Sequence, residues 1–479
     1  MLQSVSRSGL IEDLGFDTPS VIGTLRGHNA TITCLTPVYM PSHISYGTGD
    51  DTHRLLTTTL ISADSQGWLI WWDLSTRRPL GVWRGHKEKV TTLIQLGLEW
   101  VSDAESTTAS PKLGNMYGKV LSHGKDGEMK IWSLFDLENE VVKFTGRLQR
   151  RLPLMTDDNQ EQIDKLWPTP PVFYELPVNT LNFSNVAILG NTLITPASMD
   201  SNSFDIYTIP LLDSDKLQRP YSSIEPLELL RYQNRELPRE TAIPDSEKGR
   251  DFGIIMRIEW IDETCFAVGY ESGHVITYGI VNGKLTMETL DCSHYPSPII
   301  ALVYDSGRGV LLSSSSNDFI SIQTIQRSRV VIDVTKTSKK FKTHHKGIGH
   351  LTIRLDGIVG LITWDGFMRC YEYDDNGEEP LKFVFKVKKQ APSVNLNALN
   401  RSQDDKTEQE DIGSSKTRAM CLEFSQAQKS YDDLKQQGLL KWDNGMSKML
   451  VRPREQSNLS RKWLFTGYSD GRITTQDLQ

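Results

Sequence analysis

The chain has 479 residues, with 53 Lys+Arg against 60 Asp+Glu, a net charge of −7, and 38% hydrophobic residues. A net acidic balance argues against direct DNA or RNA binding, which needs many basic phosphate contacts. The five cysteines, at 34, 265, 292, 370 and 421, form no CxxC and suit a reducing compartment. With no apolar signal core and no run approaching ~18 apolar residues, the expectation is a soluble intracellular protein without a membrane span.

Residues 1–17 read as a flexible tail and 18–479 as one domain. Val21 to Arg26 has the pattern of an outer strand and directly precedes Gly27-His28. An inner strand follows from Thr31 to Leu35, and Pro37 to Arg54 reads as an irregular loop rich in Gly, Ser and His. Leu55 to Ala63 and Trp68 to Leu74 are the next strands. Strand alternation turns Trp71 away from Trp72, so one should pack between sheets and the other lie half exposed. Leu80 to Trp83 completes the unit.

The most specific stretch runs from Gly85 to Trp132. Its spacing lets His86 bridge Asp126 to Ser122 while the Trp132 indole N–H donates to Ser122, so each buried polar group finds a partner. Asp126-Gly127, between two alternating runs, suits a type I′ hairpin. The preceding unit offers His28, Ser62 and Trp72 but has Gln66 where the aspartate is expected. Later units keep the turn and lose the relay.

Turns at Gly67, Gly127, Asn202, Gly273, Asp318, Gly366 and Gly471 mark seven hairpins, spaced 45 to 105 residues apart. The shortest spacings approach the ~40–45-residue period of a WD40 blade. The expectation is all-β, a seven-bladed WD40 β-propeller. The last hairpin ends three residues before the terminus, so Val21 to Arg26 is expected to complete the C-terminal blade and remove two sheet edges.

Insertions are expected near 103–117, 147–171, 210–250, 391–415 and 425–459. The first reads as a polar loop. Asp157 to Glu161 in the second reads as a solvated acidic loop, and the third blade is expected to start at Tyr174 to Asn179. Within the third insertion Leu227 to Arg231 is either a short outer strand or a helical turn. Residues 391–415 have a disordered composition, and Tyr431 to Leu440 has helical character. The basic stretch 336–342 reads as a polar loop beside a strand, with an import or partner patch as the alternative.

No catalytic constellation appears. His344, His345 and His350 lack a carboxylate or cysteine at ligand spacing, so no metal is expected. Neither a phosphate-binding glycine loop nor a GxSxG elbow is present. Asp126, Asp365 and Asp470 precede turn glycines and are explained by the hairpins. The expectation is a non-enzyme without a cofactor.

Several strings narrow the family. They are Leu25-Arg26-Gly27-His28, Trp71-Trp72-Asp73-Leu74, Arg84-Gly85-His86, Gly253 to Arg257 leading into Ala267 to Gly273, and Thr466 to Gly471. Together they resemble the fungal ASTRA-associated protein family and, more distantly, the G-protein beta-subunit-like protein. The resemblance implies a nuclear WD-repeat scaffold subunit of the ASTRA chromatin-remodelling assembly, with an additional cytoplasmic location as the alternative, and the propeller itself is expected to be monomeric. Its implied neighbours are protein subunits: a co-chaperone trio that matures phosphatidylinositol-3-kinase-related kinases, a kinase-related pseudokinase and paired AAA+ ATPases. A propeller that recognises a peptide or histone tail, and a substrate receptor of a ubiquitin ligase, are the alternatives. Partner-binding residues do not follow from the motifs.

Overall fold

Short alternating runs separated by Gly- or Asp-containing turns fold into successive antiparallel hairpins. In the computed structural model these stack as the seven blades of a β-propeller. The structure describes residues 18–48, 51–102, 108–135, 153, 155–179, 183–211, 215–233, 245–246, 249–326, 332–374, 379–387, 417–442 and 453–478. The expected tail and the segment 391–415 lie outside them.

The first blade comprises Ile32–Thr48, Asp51–Asp64, Trp68–Asp73 and Arg78–Arg84, and the second Val90–Gln95, Lys119–Gly124, Glu128–Ser133 and Val172–Pro177. Val172–Pro177 pairs with Glu128–Ser133, so it is the outer strand of the second blade and not the start of the third. The third blade begins at Ala187–Leu189 and ends with Gln218–Ile224. The fourth to sixth run from Ile255 to Asp291, Ile299 to Lys342 and Ile348 to Val387. Ile332–Asp333 leaves the fifth blade to pair in parallel with Thr289–Leu290 of the fourth. In the basic segment, Lys339–Lys342 is itself the fifth blade's outer strand.

The seventh sheet joins the chain ends. Ala419–Phe424, Trp463–Tyr468 and Arg472–Asp477 are followed in space by Val21–Arg26, with Leu25 opposite Ile473 and Val21 opposite Gln476. Each blade buries both faces against its neighbours, giving seven apolar cores, one per junction. This corrects the expectation for the tryptophan pair. Trp72 packs toward the seventh blade and Trp71 toward the second, and both are at most 1% exposed. A third strand covered on both sides has no solvent face.

Five of the seven turn positions are glycines with φ between +77° and +87°, a region that costs other residues strain. The turn at Asp126-Gly127 is not type I′. Only Gly127 has positive φ, and its N–H closes onto Gly124 O at 3.2 Å. The two-residue type I′ geometry occurs instead at Asn282-Gly283, with φ of 51° and 70°.

Pro37 to Arg54 is not an irregular loop. Its residues extend the first blade's inner hairpin, pairing as far as Thr48 with Asp51 across a register shift between Pro41 and Ser45. The polar tip hides the alternation that would identify a strand. The seventh-blade insertion folds against this hairpin. Helices Tyr431–Gln436 and Pro453–Leu459 and strand Leu440–Trp442 bury Ile44, Tyr46 and Leu55 together with Tyr431, Leu434 and Leu459. From the second blade a smaller hairpin, Leu98–Ser102 with Ala109–Leu113, joins them, replacing the polar loop expected there. Ala109 N–H bonds Ala427 O, and Trp100 meets Tyr39 edge-on. The expected acidic loop is helical: Gln160–Leu166 lays Ile163 into the core beside Trp72 and Val82. Leu227 to Arg231 lies within helix Pro226–Tyr232.

Deleting residues 21–26 is expected to open the seventh sheet and produce self-association, measured by light scattering during purification. A deletion variant that stays monomeric with an unchanged Tm would contradict the closure.

Candidate protein-interaction surface

The residues expected to form the relay meet in the second blade. Trp132 Nε1–H donates to Ser122 Oγ at 2.7 Å, Ser122 lies 2.7 Å from His86 Nε2, and His86 Nδ1 lies 3.0 Å from Asp126. A neutral His86 carrying its proton on Nδ1 satisfies every link. Burial pushes the Asp126 carboxyl up, but hydrogen bonds from His86 and the Lys87 N–H outweigh it and hold the group at about 2.

The first blade has the same relay complete, which corrects the reading of Gln66. Trp72 Nε1–H donates to Ser62 at 2.8 Å, Ser62 lies 2.7 Å from His28 Nε2, and His28 Nδ1 lies 2.8 Å from Asp64. Asp64 comes from the strand end, two residues before Gln66, and its second oxygen accepts the Gln66 and Trp68 N–H groups. The fifth blade also keeps part of the relay. His294 Nε2 lies 3.1 Å from Ser313 Oγ, and Asn317 Nδ2 donates to His294 Nδ1 at 2.9 Å. Without a Gly-His dipeptide this histidine left no motif. In the sixth blade Arg369 Nη2 donates to Asp365 at 2.6 Å. His86, Asp126 and Glu128 cluster at a separation that a metal ion could bridge. However, both His86 nitrogens are engaged, and Glu128 pairs with Lys130 at 2.5 Å.

Polar side chains also bind the inner strands to one another. Gln95 accepts from Tyr39 N–H at 2.9 Å and donates to Tyr39 O at 3.0 Å, and Asn185 makes the same pair with Ile258 at 2.8 Å each way. Each amide satisfies a backbone edge that would otherwise face the channel unpaired. Arg257 donates to Ile300 O at 2.6 Å and Phe183 O at 3.1 Å. Glu259 accepts from Tyr304 N–H, and Glu423 from Thr352 Oγ1. Burial pushes Glu259 up to about 8 and Glu423 up to about 7. It holds His350 down at about 4, with the Arg257 charge adding to the effect.

The relays and amide ties are buried frame, and the exposed large apolar side chains lie elsewhere. Topology puts the turns between second and third strands, and the links between blades, on one face, here called the top. It exposes Phe183 (57%), Met199 (90%), Tyr295 (41%), Trp364 (58%) and Met420 (42%). The bottom exposes Val21, Val101, Leu113, Val172 and Val281 among its large apolar side chains. Aromatic residues and methionine are enriched in interfaces over ordinary surface. Trp364 lies against the backbone of Gly347 and Gly349; a Cβ on Gly347 would sit 2.1 Å from its indole. The glycine seat fixes the ring while one face stays in solvent. Lys125 Nζ sits 4.4 Å over the Phe183 ring. No sequence motif marked these positions, because exposed single aromatics carry no periodicity.

Asp64→Ala is expected to cost ~1–3 kcal/mol and Trp132→Ala ~3–5 kcal/mol, against less than ~0.5 for Gln66→Ala, by thermal or urea melts. Equal losses for Asp64→Ala and Gln66→Ala would restore Gln66 to the relay. Because the Glu259 carboxyl is raised in the fold, the native state binds the extra proton, and its stabilising contribution, full below the unfolded value, falls as pH rises toward about 8. Wild type should therefore lose stability relative to Glu259→Gln between about pH 5 and about pH 8. Parallel pH profiles would refute this.

A family profile described as ASTRA-associated protein 1 matches residues 21–476, from the closing strand to the last strand. The chain is 32% identical to ASTRA-associated protein 1 of Komagataella phaffii, covering 94% of this chain and 95% of that one. It is 28% identical to the Meyerozyma guilliermondii protein of that name, over 95% and 98%. For Debaryomyces hansenii the figures are 26% identity over 82% and 88%. A match that includes both strands of the ring closure leaves no blade outside it, and the chain belongs to the ASTRA-associated protein 1 family.

Proposed function

We propose that this protein is a non-catalytic scaffold of the ASTRA assembly that docks partner proteins on its top face. The observation carrying this reading is the exposed aromatic and methionine side chains distributed over that face, with Trp364 held on its glycine seat. A rigid ring offers such anchors with little ordering cost, and a few buried aromatics carry most of the energy of a typical interface. The name of the relatives supports association with ASTRA. The family resemblance extends the proposal to the co-chaperone trio, the pseudokinase and the AAA+ ATPases as partners. It also extends it to a nuclear location, a role in chromatin regulation and a link to maturation of phosphatidylinositol-3-kinase-related kinases.

The test is affinity purification of wild type and of a Trp364→Ala, Met420→Ala variant from the native host. The double variant should keep the wild-type Tm, since both side chains are exposed, and recover at least ~10-fold less of its partners, from a loss of ~2 kcal/mol at one hot spot. Full recovery of every partner would remove the top face from the proposal.

A further inference from the structure

A cleft of ≈ 420 Å³ opens at the seam where the ring closes, between the first blade's turn at Ser75 to Arg77 and the seventh-blade segment Pro453 to Arg461. Three arginines line it, Arg77, Arg454 and Arg461, and no acidic residue does. Asp73 accepts Ser75 N–H at 2.8 Å and Thr76 Oγ1 at 2.6 Å, and Asp477 accepts Lys462 N–H at 3.2 Å and pairs with Arg461 at 3.4 Å. Arg77 donates to a neutral acceptor, Ile22 O. Arg454 is exposed and has neither ion pair nor hydrogen bond among the described residues. The Ser457 hydroxyl is likewise unused, and Ser75 Oγ only accepts, from Asn458. Arg77 also sits at φ 56°, a conformation that favours glycine or asparagine.

We infer that this cleft binds a phosphate monoester carried on a side chain of a partner protein. Guanidinium forks match phosphate oxygens in bidentate fashion, and two free hydroxyls add donors. Three arginines lining a cleft that no carboxylate lines, in a chain of net charge −7, lower the cost of burying a dianion. The volume admits the phosphorylated side chain and part of its flanking backbone. The ligand would join the first blade, whose Arg77 holds the closing strand through Ile22 O, to the seventh-blade insertion. Occupancy would therefore tighten the ring seam, and a ligand that binds only the folded form raises its melting temperature. The site shares no residue with the top face, so either proposal can fail without the other.

The full-length protein is melted in sodium phosphate and in sodium chloride of equal ionic strength, as wild type, Arg454→Gln and Arg77→Gly. Phosphate stabilises proteins generally by exclusion from their surface, and that effect is common to all three. Wild type should show an additional rise that both variants lose; in chloride Arg454→Gln should melt like wild type, while Arg77→Gly, which gives up the bond to Ile22 O, serves only for the phosphate-induced difference. A degenerate phosphoserine peptide pool should bind wild type at least tenfold more tightly than its unphosphorylated counterpart, and bind the variants without that preference. Equal phosphate-induced rises in all three proteins would overturn the site. A rise lost in the variants without phosphopeptide preference would assign the cleft to free phosphate and overturn the proposal as stated.

Discussion

Stacked sheets escape having two bare ends only when the last sheet meets the first, and here that contact is assembled from both ends of the chain. Leu25 and Ile473 pair within the seventh blade, and together with Trp463 and Phe465 they pack on Ile32, Leu60, Trp68 and Trp72 of the first. The other six junctions form between neighbours in sequence; this one closes a loop of more than four hundred residues and turns six separate interfaces into a ring. Gly467 lies so close to Ile32 that an added Cβ would stand 2.6 Å from its side chain, which shows how tightly the two blades meet. The proposed phosphate cleft lies at this same seam.

Within that frame, buried polar groups are used where an apolar core cannot reach. The His–Ser–Trp–Asp relays of the first two blades tie the turn, the incoming link and the third strand into one network. Satisfied networks of this kind specify a single arrangement, while a stranded member would cost its full desolvation. Blades without the relay lean on other pairings. Tyr270 and Tyr278 bond to each other at 2.8 Å in the fourth blade, and Arg369 holds Asp365 in the sixth. The innermost strands have an open edge toward the channel, and Gln95 and Asn185 close parts of it by acting as short stand-in strands.

The two faces of the ring differ in what they do with apolar surface. On the bottom, the extended first-blade hairpin and the seventh-blade insertion pack on one another and bury Ile44, Tyr431 and Leu459 in a small accessory core. On the top, side chains of comparable size are left in solvent, and one of them is seated with care. The bottom still exposes aliphatic side chains such as Val101 and Val281, so the contrast on which the scaffold proposal rests is the exposed aromatic and methionine side chains of the top.

Turn glycines, alternating runs and the Gly-His…Asp-Gly…Trp string are local signals, and they sufficed to count the blades, to find the second blade's relay and to place Val21 to Arg26 in the closing sheet. The sequence by itself also determined which turn positions need glycine, because positive φ is a property of the backbone alone. What it could not determine depends on neighbours distant in the chain. Asp64 replaces Gln66 because the histidine reaches the strand end rather than the turn, a matter of side-chain geometry and not of spacing. Pro37 to Arg54 is strand because it extends the first blade's inner hairpin, and a segment about four hundred residues later covers its edge at Ile44 to Tyr46 with Leu440–Trp442. Trp71 is buried because a second blade covers it, and Trp364 is exposed because nothing does. Only the tertiary structure decides such matters, since burial and edge pairing are set by what packs alongside.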